Sequence, residues 1–111
     1  NFNKRQYRRN TMKVGLIYET SISDIKDIIK NIEKKISSHQ RVIVNDDHSV
    51  IVKLFNFNES SIDIYISYFV DAADWLNYLT VNQELLLSIK EIISNSESDF
   101  AYPTKTIYQR N

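Results

Sequence analysis

Cysteine is absent from these 111 residues, and glycine and proline occur once each. Without cysteine there is no disulfide framework, no thiolate nucleophile and no zinc–thiolate centre. A single glycine excludes the dinucleotide fingerprint and the phosphate-binding P-loop, both of which need several glycines close together. The apolar runs are three or four residues long, whereas a membrane-spanning helix needs about 20. No signal-peptide core is present either. Net charge is also lacking, since 14 basic residues balance 14 acidic ones.

What is present is ordinary globular material, 42% hydrophobic and 25% charged. This composition excludes a disordered chain, and the length suits one domain with one core. The balanced charge hides an asymmetry. Lys4, Arg5, Arg8, Arg9 and Lys13 all precede the first acid, Glu19, so a basic arm leads into an acidic body. Such an arm is either a solvated connector or a phosphate contact, and it is too short to specify nucleic acid or lipid. Asn1 in place of methionine implies a processed chain or a piece of a longer one.

Hydrophobic periodicity orders the rest. Residues 1–10 read as a connector. Met12, Val14, Leu16 and Tyr18 alternate with Lys13, Gly15, Ile17 and Glu19, which predicts a strand over about 11–20. Ser21 and Asp24 resemble a capping box. Ile25, Ile28, Ile29, Ile32 and Ile36 then recur at spacings of three and four, opposite a face of Lys and acidic residues, which predicts an amphipathic helix to about Ser38. Arg41–Val44 is a small strand or extended loop, and Asn45–Ser49 is turn chemistry.

Val50–Phe57 predicts a strand with Val50, Val52 and Leu54 on one side and Ile51, Lys53, Phe55 and Phe57 on the other. Asn58–Ser61 forms a hairpin turn, and Ile62, Ile64, Ile66 and Tyr68 alternate with polar partners in the clearest strand of the chain. Asp71 or Asp74 caps a second helix over about 73–95. Its apolar residues form two adjacent stripes: Trp75, Leu79, Asn82, Leu86, Ile89 and Ile93, and beside them Tyr78, Val81, Leu85 and Ile92. Together they are wider than one sheet face needs. Tyr102-Pro103 and a strand-like Thr104–Tyr108 close the chain. The order β-α-β-β-α-β predicts an α+β, ferredoxin-like split β-α-β fold, with two helices on one face of a mostly antiparallel sheet.

That fold does not give a function. No catalytic set emerges and no cofactor is expected. His39 and His48 lack ligand-like partners at helical spacing. Asp46-Asp47-His48 is better explained by a turn than by a metal, and Asp71 and Asp74 by a helix start than by a catalytic pair. The Asn58-Glu59-Ser60 sequon is likewise turn chemistry. The alternative is a free-standing ferredoxin-like domain, regulatory or RNA-binding, since RNA-recognition domains share this topology and stack bases on aromatics of the central strands. Here those strands offer Tyr65 and Phe69 against Ile17, the consensus aromatic signature is absent, and the body is acidic, so no nucleic-acid partner is expected.

Four separated stretches carry a resemblance. They are Asn1-Phe2-Asn3 with the basic arm, Val14-Gly15-Leu16-Ile17-Tyr18-Glu19-Thr20, Phe57-Asn58-Glu59-Ser60-Ser61-Ile62-Asp63-Ile64, and Phe100-Ala101-Tyr102-Pro103-Thr104-Lys105-Thr106-Ile107-Tyr108. In this order and spacing, with Asp74-Trp75 and Tyr78-Leu79, they resemble the cytoplasmic C-terminal region of the small-conductance mechanosensitive ion channel (MscS) family. Two glycines usual in that family are replaced, one by Asn58 and one within Asn95–Glu97, where Asn95 is able to take a left-handed cap instead.

The resemblance implies a non-enzymatic module of a bacterial inner-membrane channel that releases solutes on hypo-osmotic shock. It implies a homo-oligomer, typically a heptamer, whose domains form a hollow cytoplasmic vestibule, with the membrane contacted through a part upstream of this chain. Residues 1–10 would then leave a preceding β-domain, 11–100 form the α/β domain, and 101–111 a segment able to join an oligomeric barrel. On that reading the candidate subunit interface comprises Tyr78, Val81 and Leu85 of the second helix with Tyr102, Pro103, Thr104, Thr106 and Tyr108 of the last segment.

Overall fold

Isoleucine at every second position from Ile62 makes one strand the organiser of the molecule. The computed structural model describes residues 7–101. In chain order it contains β1 (Tyr7–Leu16), α1 (Ile22–Ser37), β2 (Val42–Ile43), β3 (Ile51–Phe57), β4 (Ile62–Asp71) and α2 (Trp75–Ser94). β4 is central. β1 pairs antiparallel along one edge, from Tyr7 opposite Asp71 to Leu16 opposite Ile62. β2 and β3 share the other edge, Val42 lying opposite Val70 and Val52 opposite Ile66.

The predicted α+β class stands: two helices cover one face of a four-stranded antiparallel sheet among the described residues. After α2 the chain returns to the outer edge of β1. There Phe100 bridges Leu16, and the Ala101 amide donates to the Gly15 carbonyl at 2.9 Å. The predicted last strand, Thr104–Tyr108, lies outside the described residues.

Alternation decides the core. Ile62, Ile64, Ile66, Tyr68 and Val70 of β4 point toward the helices and are buried, as are Ile25, Ile28, Ile32 and Ile36 of α1. Burying an isoleucine side chain contributes about 1.5–3 kcal/mol, so this set outweighs the slightly poor helix propensity of an isoleucine-rich α1. The helix starts are built as the sequence predicts. The Ser21 hydroxyl accepts from the Asp24 amide at 3.1 Å, and of the two candidate acids it is Asp74 that caps α2, accepting from the Asn77 amide at 2.8 Å. Asp71 instead ends β4, its amide donating to the Arg41 carbonyl.

Four expectations are corrected. β1 begins at Tyr7 rather than near Thr11 and ends at Leu16, so the basic residues Arg8 and Arg9 belong to the sheet. Long cationic side chains lie along a strand surface with their stems packed and their heads in water, which hides a strand from a pattern search. Ile17 therefore does not oppose the aromatics of β4: Tyr65 pairs with Lys13, and Phe69 with Arg9. Asn95 closes α2 in the right-handed region, at φ −85°, with its amide donating to the Glu91 carbonyl and the Ser96 amide to the Ile93 carbonyl. A helix can end on such bonds without a left-handed residue.

The fourth correction concerns β3. A register shift between Leu54 and Asn56 leaves Phe55 as the extra residue of a bulge. Side chains alternate strictly along a strand, so the extra residue inverts the phase after it. Phe57 therefore falls opposite Ile62, on the same side as Val52 and Leu54, and not beside Phe55.

Candidate functional site

Three surfaces remain once the core is closed, and each follows from the strand register or the helix phase. The first is the sheet face turned away from the helices. β1 contributes Tyr7, Arg9, Thr11 and Lys13 to it, β4 contributes Tyr65, Ser67 and Phe69, and β3 contributes Ile51, Lys53 and Phe55.

The groups on this face interlock. The Arg9 guanidinium donates to the Ser67 hydroxyl at 3.3 Å and to the Tyr65 phenol at 3.4 Å. The Lys13 ammonium lies 4.5 Å from the centre of the Phe55 ring, which in turn lies 5.7 Å from Tyr65. Hydrogen bonding from the Thr11 hydroxyl, helped by the Arg9 guanidinium, holds the Tyr65 phenol below its usual pKa. At the far end His48 sits edge-on between Tyr7 and Phe69, at 4.8 and 4.6 Å. The face can stack flat rings and attract anions, but it has no enclosed pocket and no nucleophile–base pair.

The second surface is the outer flank of α2. Here the structure divides the apolar arc along a line that crosses both stripes. Tyr78, Val81 and Leu85, the candidate interface residues, are buried against this chain's own sheet, together with Ile89 and Ile93. They have little surface left for a neighbour. Exposed instead are Trp75 (59%), Leu76 (72%), Leu79 (42%), Leu86 (44%) and Leu87 (60%). This flank looks toward the outer edge of β1: the Arg8 guanidinium lies 5.9 Å from the Trp75 ring, and the Lys90 ammonium 5.5 Å from Phe100. Tyr102, Pro103, Thr104, Thr106 and Tyr108 lie outside the described residues.

The third surface is an apolar groove of about 550 Å³ between the start of α1 and the β3–β4 hairpin, lined by Tyr18, Ile22, Ile25, Ile29, Leu54 and Phe57 among others. A second hollow, of about 600 Å³ between α1 and the end of α2, is lined with mixed charges, among them Asp24, Lys34 and Glu97. No group of three potential ligands that could hold a metal occurs among the described residues. Asn45 Oδ1 accepts from the Asp47 and His48 amides at 2.9 and 2.8 Å, so Asp46-Asp47-His48 belongs to a side-chain-closed turn. No described helix is long and apolar enough to cross a membrane.

Beneath these surfaces lies a polar network absent from the sequence reading. Tyr68 is fully buried, yet its hydroxyl accepts from Asn10 Nδ2 at 2.9 Å and donates to Asn82 Oδ1. Asn10 Oδ1 accepts in turn from the Tyr78 hydroxyl at 3.1 Å. Burial pushes the Tyr68 phenol up to about 12 and raises that of Tyr78 as well. The signal for the network was Asn82, an amide in the middle of an apolar stripe. A further tie joins the turn after α1 to α2: His39 Nε2 donates to Glu84 Oε1 at 2.8 Å, while His39 Nδ1 accepts from the Arg41 amide at 3.1 Å.

Residues 10–99 match the family model described as "Mechanosensitive ion channel MscS, C-terminal". The chain is 31% identical over 108 residues to an MscS family protein of Aquifex aeolicus, covering 97% of this chain and 29% of that protein. It is 29% identical over 105 residues to the low conductance mechanosensitive channel YnaI of Escherichia coli, covering 94% of this chain and 29% of that one. The chain thus spans under a third of the length of these relatives. Among solved structures, that of Arabidopsis thaliana MSL1 superposes with a TM-score of 0.78 at 18% identity, covering 88% of this chain and 35% of that one. At that identity the superposition speaks for the fold.

Proposed function

The chain belongs to the MscS family of mechanosensitive ion channels, matching its C-terminal domain, and from that premise we propose that it is the cytoplasmic vestibule domain of such a channel. In this reading it performs no chemistry. Copies of it assemble, seven being the number the family resemblance implies, and enclose the space through which solutes reach a pore formed elsewhere in the protein. The channel opens under membrane tension and releases solutes after a hypo-osmotic shock.

The observation that carries the proposal is the match over residues 10–99, nearly the whole described domain, to the C-terminal model of the family. Two features support it. The apolar flank of α2 is left uncovered by the described residues. The described surfaces also offer ring stacking and charge. Residues 1–10 would lead in from a preceding domain, although β1 takes up the last four of them. Residues 101–111 would leave at the β1 edge, toward a barrel shared between copies.

Survival after osmotic downshock tests the proposal. A bacterial strain stripped of its own tension-gated channels should survive when it expresses the complete protein. It should lyse when the same protein carries Ile64→Asp, which places a charge in the fully buried core. Lysis of both strains at equal membrane abundance would count against a solute-release role. A second reading, an RNA-binding domain, rests on the cationic and aromatic open sheet face. It would be favoured by tight RNA binding that weakens steeply with salt.

A further inference from the structure

The two apolar surfaces that the described residues leave uncovered differ in shape and lie on opposite flanks of the helical layer. α1 has two sides besides its buried one. Asp24, Asp27, Asn31 and Lys34 look across the charged hollow toward Ile92 and Asn95 at the end of α2. Ile22, Lys26 and Ile29 look the other way, into the apolar groove floored by Leu54, Phe57 and Ile62. The exposed leucines of α2 lie on the flank away from α1, toward the β1 edge. One edge of the domain is thus a convex apolar helix, and the opposite edge is an apolar groove.

The groove is a product of the bulge at Phe55. Without the extra residue Phe57 would point to the open sheet face. With it, Phe57 stands 6.4 Å from the Tyr18 ring and forms one wall of the groove. Tyr18 (54%), Ile22 (73%), Leu54 (42%) and Phe57 (58%) remain exposed there. An aromatic held more than half exposed by a strand irregularity implies a use for that position, since bulges re-aim side chains.

We infer that the occupant of the groove is the outer flank of α2 from the next copy of this chain, so that the domains join head to tail. The inference rests on the assembly reading above and names the surfaces that carry it. Leu76 and Leu79 are three residues apart and Leu79 and Leu86 seven, spacings with which a helix enters an apolar groove. Area agrees with this. Taking about 180–250 Å² for each fully exposed side chain, the two exposed sets together remove about 1,000 Å² at one junction. That is the lower bound for a specific interface before any polar rim is counted. A contact between two different surfaces repeats from copy to copy and makes a ring where the rotation between copies closes, whereas a contact between identical surfaces stops at a dimer.

The absence of cysteine makes the test direct. In the complete protein, with any cysteine outside these residues replaced, Leu79→Cys and Ile22→Cys are introduced singly and together and treated with a short bis-maleimide. Native mass is measured in parallel. Both positions are well exposed, so neither change threatens folding. The doubly substituted protein should give a ladder of covalent multimers up to the native copy number. Each single variant should give none, and the two single variants co-expressed should give covalent dimers and nothing larger.

Dimers from Leu79→Cys alone would overturn the inference in favour of a two-fold helix contact. A second pair, Leu86→Cys with Leu54→Cys, guards against a register offset. No covalent product from either pair in a protein of several copies would also overturn it, while leaving the channel reading intact. A monomeric native mass would overturn both.

Discussion

The buried hydroxyl of Tyr68 gives the sharpest test of how the core is held. It has one donor, Asn10, and one acceptor, Asn82, and no access to water. Asn82→Leu removes the acceptor and leaves the hydroxyl proton without a partner, a loss of about 1–3 kcal/mol. Tyr68→Phe removes the hydroxyl itself. Asn10 and Asn82 are only partly buried and can turn to solvent, so that loss is nearer 1 kcal/mol. The double variant replaces both groups with apolar ones and should cost no more than the worse single variant. The coupling between the sites is then about 1–2 kcal/mol. Urea unfolding of the four proteins measures it. With a slope of about 1–2 kcal/mol/M for a domain of this size, Asn82→Leu should lower the midpoint by about 1 M and the double variant by no more. Losses that simply add, within about 0.5 kcal/mol, would refute the network.

Three further outcomes follow from the same structure. Asp74→Ala removes the acceptor for the Asn77 amide and should destabilise the domain by about 1 kcal/mol, with Asp74→Ser restoring most of it; equal losses for both would contradict a capping role. Ile64→Ala, at a site with no exposure, should lose about 2–5 kcal/mol by thermal or urea unfolding, whereas Leu76→Ala on the exposed flank should leave a dilute, unassembled domain within about 0.5 kcal/mol. Tyr68 titrates near 12 when folded and near 10 when unfolded, so its contribution is complete below pH 10 and is lost as pH rises toward 12. Ultraviolet titration should show it ionising after the exposed tyrosines, and the difference should vanish in Tyr68→Phe.

Strands and helices with one buried face were readable because their periodicity has a single solution. β4 and α1 are such elements, and their caps and core residues fall where isoleucine spacing puts them. α2 was not, because its apolar arc is wide enough for either stripe to face inward. Only the position of β1 and β4 shows that Tyr78, Val81 and Leu85 go inside while Leu79 and Leu86 stay out. The first four residues of β1 were hidden by Arg8 and Arg9, whose charge reads as solvent although both pair with β4. The bulge left no mark in the pattern of β3, since Phe55 and Phe57 are consistent with strict alternation, and so the apolar groove was illegible. The polar network had one legible sign, Asn82 within the stripe, but not its partners.

The most direct test of the account is electrical. The complete protein, reconstituted into liposomes free of other channels, is recorded by patch clamp while suction raises membrane tension. A protein whose C-terminal domain is the one described here should open discrete, reversible conductances below the lytic tension. A membrane that holds the folded protein and stays silent up to rupture, while a control channel opens in parallel patches, would contradict the assignment.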